Sequence, residues 1–305
     1  MMSDFVQQQH TVCDFSTSNS WVILSPIEQS IKQKIEAVGT PLKEWDINIY
    51  RGVLTGFNDA FIISTEKRNE ILANCKDEDE RIRTAELIRP ILRGRDIKRY
   101  GYDWANLYLI ATFPSCHYDI DRYPAVKQYL LEFGIEKLEQ TGKTHLINGE
   151  KVKARKKTNN KWFETQDSIS YWEDFSKQQI VWIELSDTPK FAFTENVTSV
   201  NTVFFMTGES LLHLLGLLNS KLITWYFRHC IGTTSGVGTN RWLKYTIEQI
   251  PMAPYNPELE KMTKAISNQY NEDINHKIDD FVCGLYNLDN TETNYILFQD
   301  EEIAL

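Results

Sequence analysis

The chain has 305 residues, 42% of them hydrophobic and 12% aromatic, which is enough for one large core or two smaller ones. Its net charge of −9 is uneven, because eleven acids against three lysines over residues 258–305 leave −8 there and about −1 on the preceding 257 residues. No run approaches the roughly eighteen apolar residues of a membrane span, and the N-terminus lacks the basic segment and apolar core of a secretory signal.

Five scattered cysteines (Cys13, Cys75, Cys116, Cys230 and Cys283) form no C-x-x-C, which suits a reducing cytoplasm with free thiols rather than a disulfide framework or a zinc site. Residues 1–20 read as a polar leader. Ser25-Pro26 opens a helix, since proline suits the first helical position and Ile27, Ile31 and Ile35 recur at four-residue spacing before Gly39. Residues 50–64 read as strand, glycine turn and strand, with Gly52 and Gly56 on either side of Thr55. Arg51, Thr55 and Asn58 there carry donors of the kind that can meet phosphates and base edges. A turn in which Asn58 and Asp59 cap the backbone remains the alternative.

A charged surface helix is predicted over residues 66–87. It runs into the most distinctive stretch of the chain, L-I-R-P-I-L-R-G-R-D-I-K-R-Y at residues 87–100. Arg89, Arg93, Arg95, Lys98 and Arg99 stand there against a single acid, Asp96. Pro90 lacks a backbone donor and Gly94 permits unusual angles, so a helix end entering a shaped turn is expected. Such a turn can aim guanidinium groups at phosphates or guanine edges, or it can be a solvated loop paired with acids elsewhere.

Residues 107–112 read as a buried strand. Cys116-His117 has no second ligand at metal spacing. A long amphipathic helix is predicted over 121–141, with Val126, Leu130, Phe133 and Leu138 inward. Residues 142–162 are expected to be a mobile basic loop in which Lys153, Arg155, Lys156 and Lys157 grip phosphates. Lys161 and Trp162 close it, and cations interleaved with aromatics suit stacking and charge contact with nucleic acid. The alternative is that the aromatics are core. Strands follow at 180–185, 190–194 and 202–206, then one long helix at 209–230. The glycine-rich run G-T-T-S-G-V-G lacks the G-K-[ST] of a phosphate loop. Residues 258–288 are helical, with Ile274, Ile278, Phe281 and Leu285 on one side, packing within the chain or on a partner.

The 87–100 block, Y-R-G-V-L-T-G-F-N-D-A-F-I-I-S at 50–64, and L-L-G-L-L-N-S-K-L-I-T-W-Y-F at 214–227 with I-E-Q-I-P-M at 247–252 occur in an order that closely resembles the TaqI-like specificity domain. That domain follows the adenine methyltransferase domain in type IIG restriction-modification enzymes. The resemblance covers roughly residues 21–288. It implies that the glycine-rich turn lies near DNA, with Ser235 and Arg241 as contacts. The fold expected is α+β, a twisted and mainly antiparallel sheet domain over 21–250 followed by a helical segment and acidic tail over 251–305.

The function expected is sequence-specific recognition of double-stranded DNA on behalf of a methyltransferase or endonuclease domain or subunit, in the cytoplasm. A diverged module that docks on a methyltransferase without reading sequence is the alternative, and a fragment of a longer restriction enzyme is compatible with the first reading. No N/D-P-P-Y/F motif and no P-D nuclease signature occurs. The chain is therefore expected to be non-catalytic and without a cofactor, with S-adenosylmethionine and magnesium belonging to the partner.

Overall fold

The computed structural model describes residues 24–231 and 239–302. Helix α1 (Pro26–Val38) forms as the isoleucine spacing requires, with Ile31 and Ile35 buried. Ser25 caps it reciprocally, its Oγ accepting from the Glu28 N–H while the Glu28 carboxylate accepts from the Ser25 N–H. Strand β1 (Ile47–Arg51) follows, then a four-residue helical turn at Asn58–Phe61 and strand β2 (Ile62–Ser64). Residues 50–64 are thus not a hairpin, because β1 and β2 belong to different sheets.

The charged segment is two helices, α2 (Thr65–Ala73) and α3 (Glu78–Leu87), since Asp77 caps the second by accepting from the Glu80 N–H. Strands β3 (Ile88–Leu92) and β4 (Leu107–Ile110) come next. Helix α4 (Pro124–Leu131) stops short of the predicted 141, because Gly134 takes a positive φ of 81° before a separate turn at Ile135–Leu138. The basic stretch contains a hairpin, β5 (Thr144–Ile147) and β6 (Glu150–Lys153), followed by β7 (Gln178–Ile183), β8 (Phe191–Glu195), β9 (Thr198–Ser199) and β10 (Val203–Gly208).

The predicted long helix at 209–230 is broken in two, α5 (Leu211–Asn219) and α6 (Lys221–Tyr226). The Asn219 amide accepts from the Phe191 N–H at 3.2 Å and donates to the Phe191 carbonyl at 2.9 Å, while Ser220 Oγ caps α6. Helices α7 (Pro257–Asn268), α8 (Glu272–Leu285) and α9 (Asn290–Glu302) end the described chain. Helix α9 returns to α1, where Glu292 accepts from Ser30 Oγ at 2.6 Å and Lys34 Nζ at 2.5 Å.

The first four-stranded sheet, in the order β8-β7-β10-β1, is antiparallel throughout. The second runs β9-β3-β4-β2, antiparallel except for the β9/β3 edge. Alternation along the first sheet divides the interior. Ile180, Trp182, Phe191, Phe204 and Met206 face a core shared with α1 and the C-terminal helices. Val181, Ala192, Val203 and Phe205 face a second core built with β2–β4, α2, α3 and α4. This is why these strands read as nearly continuous apolar runs. The sheets meet where Val53 donates to the Ser199 carbonyl at 2.7 Å. That approach needs Gly52, since a Cβ there would lie 2.2 Å from the Val200 carbonyl oxygen. The architecture is α+β, mainly antiparallel, with a helical C-terminal part.

Candidate nucleic-acid interface

The arginine block begins where α3 ends at Leu87 and becomes β3, a central strand of the second sheet. Pro90 brings no N–H to the strand, while its carbonyl accepts from Thr198 Oγ1 at 2.6 Å. A 3₁₀ turn at Gly94–Asp96 follows, and the cations then point in different directions. Arg89 lies half-buried over the Trp172 ring at 5.7 Å. Arg93 forks onto Asp96, with Nε–Oδ2 at 3.0 Å and Nη2–Oδ1 at 2.8 Å. Burial alone would raise the Asp96 carboxyl, but the hydrogen bonds from Arg93 hold it below its ordinary value. Lys98 pairs with Asp103. Arg99 turns toward the helical part, where Nη2 donates to the Asn219 carbonyl at 2.5 Å and lies 3.7 Å from buried Asp279. Arg95 is exposed and makes no hydrogen bond or ion pair among the described residues.

Arg95 opens onto a cleft of about 410 Å³ lined by Gly94, Ile183, Glu184, Lys190 and Thr202. Glu184 organises its rim, accepting from Arg241 Nη2 at 2.9 Å on one oxygen and from Arg51 Nη2 at 3.4 Å on the other. Arg51 is steadied further by Nε donating to the Asn201 carbonyl at 2.5 Å. Arg95 and Lys190 thus line the cleft beside Glu184, which Arg51 and Arg241 hold from outside the lining, and Lys190 lies 4.0 Å from Asp187. A cation excess of this kind in a concave surface attracts phosphate. Lys190 and Glu184 were not singled out from the sequence. A lone acid at the end of the apolar run I-V-W-I-E-L was the available signal.

Two expected contacts are corrected by burial. Thr55 is only 1% exposed, donating to Asn58 Oδ1 at 2.6 Å and accepting from the Phe57 N–H at 3.1 Å, so both side chains shape the turn. Asn58 itself is exposed. Arg155 is 5% exposed, its guanidinium over the Phe61 ring at 5.0 Å. It donates to four carbonyls, those of Leu138 (2.7 Å), Thr55 (2.8 Å), Glu164 (2.8 Å) and Trp162 (2.6 Å), which takes four of the five donors an arginine has. Burial pushes it down to about 10. It cannot grip phosphate without leaving the carbonyls of Leu138, Thr55 and Trp162 unpaired.

The rest of 142–162 is not the mobile loop predicted. Residues 144–153 form the β5–β6 hairpin, and its base is tied by Ala154 N–H to the Lys143 carbonyl (2.9 Å) and Gly142 N–H to the Arg155 carbonyl (2.8 Å). Lys153, Lys156, Lys157 and Lys161 are exposed, and Lys161 lies 5.5 Å over the Phe163 ring. Trp162 is half-buried, edge-on to Phe163. Ser235 lies outside the described residues.

A family model described as the TaqI-like C-terminal specificity domain matches residues 89–252, more than half of the chain. The match takes in the arginine block, the hairpin, Glu184, Lys190 and Arg241. Among solved structures, the chain resembles the Type IIL restriction-modification enzyme MmeI, solved in complex with DNA, at a TM-score of 0.50 and 15% identity, covering 87% of this chain and 37% of that one. It also resembles the type IIG restriction endonuclease BpuSI, at a TM-score of 0.53 and 12% identity, covering 89% of this chain and 32% of that one. These likenesses concern the fold, and the chain spans about a third of the length of each enzyme. No curated protein matches the chain.

Proposed function

The chain belongs to the TaqI-like C-terminal specificity domain family, and from that membership we propose that it reads the sequence of double-stranded DNA for a restriction-modification system. The observation that carries this reading is the cleft at Glu184, lined by Arg95 and Lys190, with Arg51 and Arg241 held on the same carboxylate. Arg95 has no hydrogen bond or ion pair among the described residues to give up and can reach a base edge, where a guanidinium fork matches guanine O6 and N7. Arg51 and Arg241, oriented by Glu184, and Lys190 supply the phosphate contacts that fix register. Lys153, Lys156, Lys157 and Lys161 add sequence-independent grip.

Steering a methyltransferase or endonuclease domain or subunit to the site is the corresponding partner role. S-adenosylmethionine and magnesium belong to that partner, and this chain contributes specificity rather than chemistry. Work on DNA implies the cytoplasm. The described cysteines, Cys75, Cys116, Cys230 and Cys283, are unbridged, and no described helix is long and apolar enough to cross a membrane.

Selection from a randomised duplex pool at moderate salt, followed by sequencing, tests the proposal. Enrichment of one short motif is the expected result. Retention without enrichment would leave phosphate grip alone, and no retention at low salt would replace the proposal with a module that docks on a methyltransferase.

A further inference from the structure

The β5–β6 hairpin carries a feature that general phosphate grip does not use. Its register pairs Thr144 with Lys153 and Leu146 with Lys151, so these four side chains share one face. All four are exposed, and Leu146 is 73% exposed, the most of any large hydrophobic residue described. Lys151 and Lys153 have no ion-pair partner among the described residues. The opposite face, His145, Ile147 and Val152, is half-buried, and His145 Nε2 lies 2.6 Å from Glu139 Oε1 beside the Ile135–Leu138 turn. At the tip Asn148 and Gly149 both take positive φ (51° and 86°), the geometry of a tight two-residue turn whose twist matches its strands. At the root Arg155 is locked by four carbonyls. The hairpin is therefore a rigid arm held at its base, with one face wet, basic and apolar at its centre.

Resting on the reading that this chain binds duplex DNA, we infer that the arm enters the major groove, with Leu146 against base edges and Lys151 and Lys153 on the flanking phosphates. Four residues per strand give an arm about 13 Å long at roughly 3.3 Å per residue. A two-stranded ribbon fits a major groove about 12 Å wide and does not fit a minor groove of about 6 Å. The face carries lysines for a polyanion and a leucine for the apolar patch that base pairs present in that groove, the thymine methyl. A protein partner would be expected to meet a broader apolar surface than one leucine between lysines.

The test compares the full chain with Leu146→Ala and with Lys151→Ala/Lys153→Ala on the duplex recovered by selection. Leu146→Ala is expected to bind about three- to tenfold more weakly with an unchanged salt slope and an unchanged melting temperature, as one lost apolar base contact implies. The lysine pair should lower the log–log salt slope by about 2. Replacing thymines of the site by deoxyuridine removes only methyl groups, and should weaken the parent at one position while leaving Leu146→Ala indifferent there. If the parent enriches a motif but Leu146→Ala binds it equally well, or both proteins respond alike to deoxyuridine, the groove-entering arm is overturned and the specificity reading stands. If the parent retains no duplex, both fall.

Discussion

Residues 89–99 and 143–161 are the two basic stretches of the chain, and in sequence they look like the same device. In the structure they work differently. In the first, Arg93 and Arg99 are committed to Asp96, Asn219 and Asp279, and exposed Arg95 lines the Glu184 cleft without a hydrogen bond or ion pair among the described residues. In the second, Arg155 is committed to four carbonyls and the lysines around it stay in water. Each stretch uses guanidinium groups to hold itself in shape and leaves other cations exposed. A cation's role is decided by the carbonyls and carboxylates around it, not by how many cations stand beside it.

The largest expected effect tests that division directly. Arg155→Ala leaves the Leu138, Thr55 and Trp162 carbonyls without their donor, while Gln140 still donates to Glu164, and should cost about 3–5 kcal/mol of stability, read as a lower urea midpoint. Arg155→Lys should recover only part, since an ammonium cannot fork among them. Lys156→Ala with Lys157→Ala should unfold like the parent yet lower the salt slope of duplex binding by about 2. An Arg155→Ala protein as stable as the parent would erase the contrast.

Arg95→Ala should relax preference at one base position by ~1–3 kcal/mol, with stability within about 0.5 kcal/mol of the parent. Parallel selections would show this, and a uniform loss across all sequences would reassign Arg95 to positioning. Glu184→Gln loosens Arg51 and Arg241 together, and should weaken binding of every sequence more than it changes preference; a shift confined to one base position would make Glu184 a reader instead.

The smallest effect is on pH. Arg93 holds the Asp96 carboxyl below its ordinary value of 3.8, so the contribution of this pair is whole above that value and fades as pH falls through the lower folded one. Asp96→Asn should therefore be less stable than the parent near neutrality and lose less melting temperature between about pH 5 and pH 3. Parallel acid melting curves for the two proteins would remove the pair from the account.

Much of the fold was legible because it follows local periodicity. Ile31 and Ile35 marked α1, and the apolar runs at 180–185 and 202–206 marked the doubly covered sheet. The failures share a cause. The apolar pattern runs unbroken through Asn219-Ser220, and the break there comes from the bonds between Asn219 and Phe191, 28 residues away, with Ser220 capping the next helix. Residues 50–64 have the composition of a hairpin, but β1 finds its partner at residues 203–208. In the site, the sequence pointed to Arg51, Arg95 and Arg241 without showing that Glu184 gathers two of them. It also gave Arg155 the same weight as its lysine neighbours, because the carbonyls that claim it come from Leu138, Thr55, Glu164 and Trp162.

The pairing of β1 with β10 bears on how such modules can be exchanged. The family match starts at residue 89, yet the edge of the first sheet is closed by residues 47–51, well upstream of it. A graft cut at residue 89 would bring the arginine block, the hairpin and most of the cleft, and would leave Val203–Gly208 as a bare apolar edge with Arg51 missing from the rim. Such an edge invites pairing between molecules, so the graft should precipitate before its recognition could be measured. Moving a specificity between enzymes of this kind therefore means carrying β1 along with the sheet it completes.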